Sequence, residues 1–516
     1  MSKKNLRRIS QGIFLLLFLF LFIQTESKGD DTLGYPVKLF LDFDPFIFIT
    51  TVLATHTAKI PAAFFLSITV ILVTAVLGRV FCGWVCPLGT LNNLVSSLKK
   101  RHQRTLGLNW HKLKYYILIF IIASSLFTLQ IAGIMDPLSL LIRSFSLSIY
   151  PLFNYGTRAL FDAIYNTNIP GIVDISESIY GILKKSILSF QQPYFLQSVF
   201  IGLLFFTVLG LNLVEKRFWC RYLCPLGAFL GLFSRYSLLR REVSEGCTSC
   251  GACDAVCQGG AFIEDREAWK KTECLACFNC DDICPANAVS FGFGIKKATS
   301  MDLGRRQVLF SVFSGAVAVP LIRSTPFLKQ DYSEPRLLRP PGALEEKEFL
   351  KRCVKCGECM KVCITNGLQP TLLEAGIEGI WSPILIPVIG YCEYRCTLCG
   401  QVCPSGAIQN LSLEEKMKVK IGLAMIDKGR CLPYSHNTPC IVCEEVCPTP
   451  EKAIWFEETL VKDRAGKEIL LKQPHVDLNL CIGCGICEAK CPVGSHPAIY
   501  VTNIGESRNS TNQLLL

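Results

Sequence analysis

A chain of 516 residues with 28 cysteines is too long, and its thiols too regularly grouped, to be a small disulfide-stapled secreted domain. Half of its residues are hydrophobic and they gather in a few N-terminal runs, which excludes a single soluble domain and allows about three or four domains. The formal net charge of +11 comes from Lys and Arg clusters beside those runs, so it reads as membrane topology and not as a nucleic-acid-binding face.

In chain order, Lys3, Lys4, Arg7 and Arg8 precede an apolar run over 13–23 that reads as an uncleaved anchor with its N-terminus inside. Runs at 61–80, 113–134 and 194–214 each approach the roughly 20 residues that cross a hydrocarbon core, so the spacing predicts four spans and a multi-pass protein. Lys99, Lys100, Arg101, Arg104, Lys112 and Lys114 lie between the second and third runs, and Lys216, Arg217, Arg221, Arg235, Arg240 and Arg241 follow the fourth. Both groups are expected on the cytoplasmic side.

This membrane domain, 1–240, repeats itself: DPF at Asp44 leads to CGWVCPLG at Cys82, and DPL at Asp136 leads to CRYLCPLG at Cys220. A spacing of four puts Cys82 with Cys86, and Cys220 with Cys224, on one helix face. Such a pair can hold a metal, form a redox disulfide or do nothing; the expectation is that the four together bind a further redox centre.

Residues 241–298 form the next predicted domain, a two-cluster ferredoxin module. A cubane cluster needs four thiolates, and C-x2-C-x2-C supplies three from one loop while the fourth cysteine serves the neighbouring cluster. On that logic Cys247, Cys250 and Cys253 pair with Cys284, and Cys274, Cys277 and Cys280 pair with Cys257. Arg305 and Arg306 then head a weakly apolar segment, 299–323, which reads either as a twin-arginine export signal inside the chain or as a fifth span. Either places the remaining C-terminal half outside the inner membrane.

A Pro-rich and charged linker is expected at 324–346, a four-cluster domain at 347–505 and a disordered tail at 506–516. The four-cluster domain carries Cys353, Cys356, Cys359 and Cys363, then Cys392, Cys396, Cys399 and Cys403, then Cys431, Cys440, Cys443 and Cys447, and last Cys481, Cys484, Cys487 and Cys491. The second and third groups contain insertions that loop out the chain without removing a ligand, and the pairing of fourth cysteines here is not legible. The count is six 4Fe-4S clusters on 24 cysteines. Zinc is the main rival, but it favours two separated CxxC pairs over three thiols in seven residues.

Only six histidines occur and none is central in a predicted span, and no CxxCH is present, so haem is not expected. No dinucleotide fingerprint, flavin motif, phosphate loop or nucleophile triad is present. His56 and Asp44 could take protons from a quinol, though a solvated loop histidine and a turn-forming Asp-Pro are the commoner readings.

The strings DPF, FCGWVCPLG and FWCRYLCPLGAFLG, with two ferredoxin motifs behind them, resemble NapH, the membrane quinol dehydrogenase subunit of periplasmic nitrate reductase systems. From RRQVLF onward, CVKCGECMKVC, CTLCGQVCPSGAI, GLAMID and CIGCGICEAKC resemble NapG, its exported four-cluster partner, and the methylamine-utilisation ferredoxins. The chain therefore looks like a NapH-NapG fusion. The resemblance implies electron transfer from the membrane quinone pool, with quinol as substrate, to a periplasmic acceptor such as a c-type cytochrome or reductase. It implies a bacterial inner-membrane protein with the first module cytoplasmic and the four-cluster domain periplasmic. The alternative is an iron-sulfur protein for maturation or redox regulation of a metalloenzyme. The expected fold is mixed: a four-helix transmembrane bundle followed by α+β bacterial-type ferredoxin modules, one with two clusters and one with four.

Overall fold

A computed structural model describes residues 3–512 except 28–30, 35–36, 58–60, 100–109, 170, 263–268, 295–302, 325–335, 463–467, 495 and 511. Lys100, Arg101 and Arg104, residues 325–335 of the 324–346 segment and the end of the tail lie outside the described residues.

The four-helix transmembrane bundle expected from hydropathy does not form. Only Lys3–Gln24, of 22 residues, and Arg305–Arg323, of 19, are long and apolar enough to cross a membrane among the described residues. The runs at 61–80, 113–134 and 194–214 instead give helices Ser67–Leu77, Leu113–Leu126 and Ser198–Gly210, of 11, 14 and 13 residues, against the roughly 20 that a span requires. The chain breaks each of them by local conformation: Gly78 at φ 77° ends the first, Thr128 at φ 69° follows the second, and a short 3-10 turn and then Arg217 at φ 51° follow the third. Hydropathy averaged over a window is blind to such left-handed residues. The multi-pass topology falls with the bundle, and the chain is helix-rich with small sheets.

The chain divides into two units, one of residues 1–24, 35–145 and 199–323, the other of 25–34, 146–198 and 324–516. In the first, Asp44 and Asp136 cap helices Pro45–Thr55 and Pro137–Ser144, each accepting two backbone N–H groups through its carboxylate, with proline in the first helical turn. Both CxxxCP strings begin as single π-helical turns, Phe81–Val85 and Trp219–Leu223. Cys86 and Cys224 then cap helices Pro87–Leu98 and Pro225–Ser234. Strand β1 (Leu239–Val243) pairs antiparallel with β2 (Val289–Phe293), closing the base of the 247–284 cysteine segment.

Among the described residues the second unit holds three two-stranded antiparallel sheets: β3 (Leu368–Pro370) with β4 (Pro383–Leu385), β5 (Leu423–Ile426) with β8 (Ile499–Thr502), and β6 (Ile454–Lys462) with β7 (Glu468–Val476). Between them run one-turn helices that each carry cysteines, such as Glu358–Lys361 and Ile486–Ala489. Buried Arg339 ties this unit together, its Nε donating to Glu346 at 3.0 Å and its Nη1 to Ser382 at 2.9 Å, while Arg508 reaches the same Glu346 carboxylate at 2.8 Å.

Candidate metal centres

In four of the cysteine loops the residues on either side of the middle cysteine are left-handed: Ser249 and Gly251, Ala276 and Phe278, Lys355 and Gly357, Gly483 and Gly485. That alternation turns successive backbone N–H groups toward one concave side, an anion-binding nest. Backbone N–H groups also point at sulfurs. Ala276 N donates to Cys274 Sγ at 3.4 Å, Ala261 N to Cys257 at 3.3 Å, Ala288 N to Cys284 at 3.3 Å, Ile408 N to Cys403 at 3.4 Å and Ala498 N to Cys491 at 3.4 Å. Four thiols with N–H donors around them suit an anionic iron-sulfur cluster. Among the described residues no three His, Cys, Asp or Glu side chains close on a single-ion position.

The thiols stand around cavities, and every described group takes three cysteines from one motif and the fourth from another. Cys353, Cys356 and Cys359 share a cavity with Cys403, and Cys392, Cys396 and Cys399 share one with Cys363. Cys431, Cys440 and Cys443 face Cys491, and Cys481, Cys484 and Cys487 face Cys447. In the first unit Cys247, Cys250 and Cys253 line a cavity with Cys284, and Cys257 lies in electrostatic contact with Cys274, Cys277 and Cys280. The insertions at Cys392–Cys396 and Cys431–Cys440 widen their loops and leave both cavities four-sided.

Burial pushes the thiols up, to about 11 at Cys431 and about 12 at Cys443 and Cys392, and well above the usual thiol range at Cys356, Cys399 and Cys487. Metal ligation supplies the positive charge that lets such sulfurs exist as thiolates. Cys247 and Cys250 are the exposed exceptions, so their cradle opens to solvent.

The cradles also touch. Cys392 N donates to Cys484 O at 2.8 Å, which joins the two ligand-exchanging pairs of the second unit. The spatial order there is the Cys353, Cys392, Cys481 and Cys431 cradles, which is not the order in sequence. In the first unit the CxxxCP turns lean on the Cys274 cradle: Trp84 Nε1 donates to Ala276 O at 2.9 Å and Arg221 Nη2 to Cys257 O at 2.6 Å. Gly83 packs so closely on Leu275 that a Cβ there would overlap its carbonyl. Glu273, next to this cradle, is buried against Arg79, Lys114 and Tyr115.

Arg79 and Arg217, counted in the sequence only as part of the basic charge or overlooked, are both buried beside the CxxxCP cysteines. The repeat contained the signal: each stands three residues before the first cysteine of its pair, in RVFC and RFWC. His56 caps the end of helix Pro45–Thr55 at φ 52°, while Asp44 turns inward and is fully buried.

Comparison with known proteins returns iron-sulfur domains and ferredoxin-type relatives among its matches. Models described as 4Fe-4S binding domain match residues 60–105, 197–244 and 397–423, and, for a second model, 474–495. The methylamine utilization ferredoxin-type protein MauM of Methylorubrum extorquens is 35% identical over 31% of this chain and 71% of its own length. The ferredoxin-type protein NapG of Escherichia coli is 34% identical over 32% of this chain and 69% of its own. An uncharacterised protein of Methanocaldococcus jannaschii is 27% identical over 57% of this chain and 97% of its own. No solved structure matches the chain.

Proposed function

Because the chain belongs to the family of ferredoxin-type 4Fe-4S proteins that includes MauM and NapG, we propose that it holds six 4Fe-4S clusters and passes electrons from membrane quinol to a periplasmic acceptor. The acceptor class is a c-type cytochrome or a reductase fed by one. On this reading the chain joins a NapH-like part to a NapG-like part, and helix Arg305–Arg323 carries it across the inner membrane. Arg305 and Arg306 at the start of this helix favour delivery beyond residue 323 on the periplasmic side.

When bound, the clusters supply one-electron redox chemistry; the protein supplies their spacing and electrostatics. The observation that carries the reading is the exchange of fourth cysteines, which sets cradles in adjacent pairs, with Cys392 and Cys484 stitching pair to pair. Arg241 beside Cys253 at 3.6 Å and Arg221 beside Cys257 place positive charge at the first unit's cradles, which favours reduction.

The experiment is to add a quinol to anaerobic membranes that contain the chain and to follow cluster reduction by EPR. Reduction by quinol, reversed by an oxidised c-type cytochrome, is expected. Clusters that dithionite reduces and quinol leaves oxidised overturn the quinol reading.

A further inference from the structure

Four thiols remain outside the six cradles. We infer that Cys82, Cys86, Cys220 and Cys224 together ligate one additional anionic iron-sulfur cluster, with Arg79 and Arg217 as its counter-charges. The inference rests on reading the six cradles as cluster sites.

The two repeats converge on this point. Asn92 Nδ2, from the helix after the first pair, donates to Cys220 Sγ of the second pair at 3.5 Å. Arg217, before the second pair, donates from Nη1 to Cys82 O of the first at 3.1 Å. All six pairings of the four sulfurs are close enough to interact electrostatically. The same holds for Cys353, Cys356, Cys359 and Cys403, so the two sets converge alike. Helix-start N–H groups serve two of the sulfurs, Gly89 N to Cys86 at 3.4 Å and Gly227 N to Cys224 at 3.2 Å.

The guanidiniums indicate the charge of the ligand. Arg79 and Arg217 are 1% and 0% exposed, and Nε and Nη2 of each have no hydrogen-bond partner among the described residues. Arg79 shares Glu273 with Lys114, and the ion pairs among the described residues do not include Arg217. Two buried guanidiniums with four unpartnered nitrogens between them, and a single carboxylate that Arg79 shares with Lys114, are costly unless an anion lies between them. The glycines of the two CPLG strings keep that space open. A Cβ on Gly227 would lie 2.6 Å from Arg79 Nη2 and 3.4 Å from Cys224 Sγ, and one on Gly89 would lie 2.8 Å from Cys82 O. On binding, each thiol gives up its proton and bonds one iron, and four thiolates against two guanidiniums favour a compact cluster over a lone ion.

The test is iron and acid-labile sulfide analysis of the anaerobically purified full chain, beside a Cys82→Ser, Cys224→Ser variant. About 28 iron atoms per chain are expected in the unaltered protein and about 24 in the variant, with the signals of the six cradles kept. Arg217→Gln, which keeps every thiol, is expected to shift the midpoint potential of the additional signal downward and to leave the others in place. About 24 iron atoms in the unaltered chain, or equal iron in both proteins, overturns the inference even if the variant folds poorly. One zinc or copper per chain at this site overturns it too. Iron far below about 24 in both proteins overturns the six-cradle reading itself.

Discussion

Asp44 and Asp136 stand close together inside the first unit as two fully buried carboxyls, each using one oxygen to cap its own helix and leaving the other without a donor among the described residues. Two acceptors in contact need a proton between them, and burial together with the neighbouring acid pushes Asp44 well above the usual carboxylate range. The folded pair therefore binds a proton that the unfolded chain releases above about pH 4. Its contribution to stability is complete below that pH and is lost as pH rises through the pair's own pKa. Asp44→Asn keeps the cap and replaces the shared proton with an N–H donor, so it should remove this pH dependence at little cost at neutral pH. Asp44→Ala loses the cap and orphans Asp136, and should cost about 2–4 kcal/mol. Denaturant midpoints across pH 5–8 decide.

Ligand exchange makes a prediction that sequence order does not. Cys353→Ser with Cys403→Ser should remove one cluster, about four iron atoms, because both thiols line one cavity. Cys353→Ser with Cys363→Ser should damage two, since Cys363 faces Cys392, Cys396 and Cys399. Iron counts on the two double variants are the measurement, and equal losses would contradict the pairing.

Glu346 is buried between Arg339 and Arg508; burial alone would raise its pKa, but the two guanidiniums hold it below the usual carboxylate range. A depressed folded pKa means that stability is fully present above about pH 4.3 and declines as pH falls through the folded value. Glu346→Gln should cost about 3 kcal/mol by leaving buried Arg339 without its carboxylate, while Arg508 keeps Glu506, read as a lower urea midpoint for the C-terminal unit and a flatter acid limb.

Gly83→Ala should separate the first CxxxCP turn from the Cys274 cradle, because the added carbon has no room against Leu275 O. A cost of about 1–3 kcal/mol is expected. EPR signals of the first unit should broaden or shift while those of the second unit stay unchanged, whereas a uniform loss of all signals would point to general misfolding.

The cysteine groups, the duplicated Asp-Pro and CxxxCP strings and the turn chemistry were legible in the sequence because each is local. The partner of Cys363 or Cys447 was not, since loops such as 364–391 return chain segments to one another by tertiary packing that spacing does not encode. The membrane reading failed for a related reason. Windows over 61–80 and 113–134 register apolar content, while Gly78 and Thr128 stop the helices through a single dihedral each. Arg217 reads in the sequence as one more basic residue after an apolar run and Arg79 stands alone inside one, although their shared offset from Cys82 and Cys220 is visible.

Borrowed fourth ligands also bear on biosynthesis. As the polypeptide leaves the ribosome, Cys353, Cys356 and Cys359 emerge well before Cys403, and Cys431, Cys440 and Cys443 well before Cys491. Each early trio is an open, three-legged mount until a later stretch of chain arrives, and the later stretch needs the earlier one in return. Maturation therefore proceeds by twos, and a nascent chain stalled between partners holds sulfurs that neither metal nor packing has yet claimed.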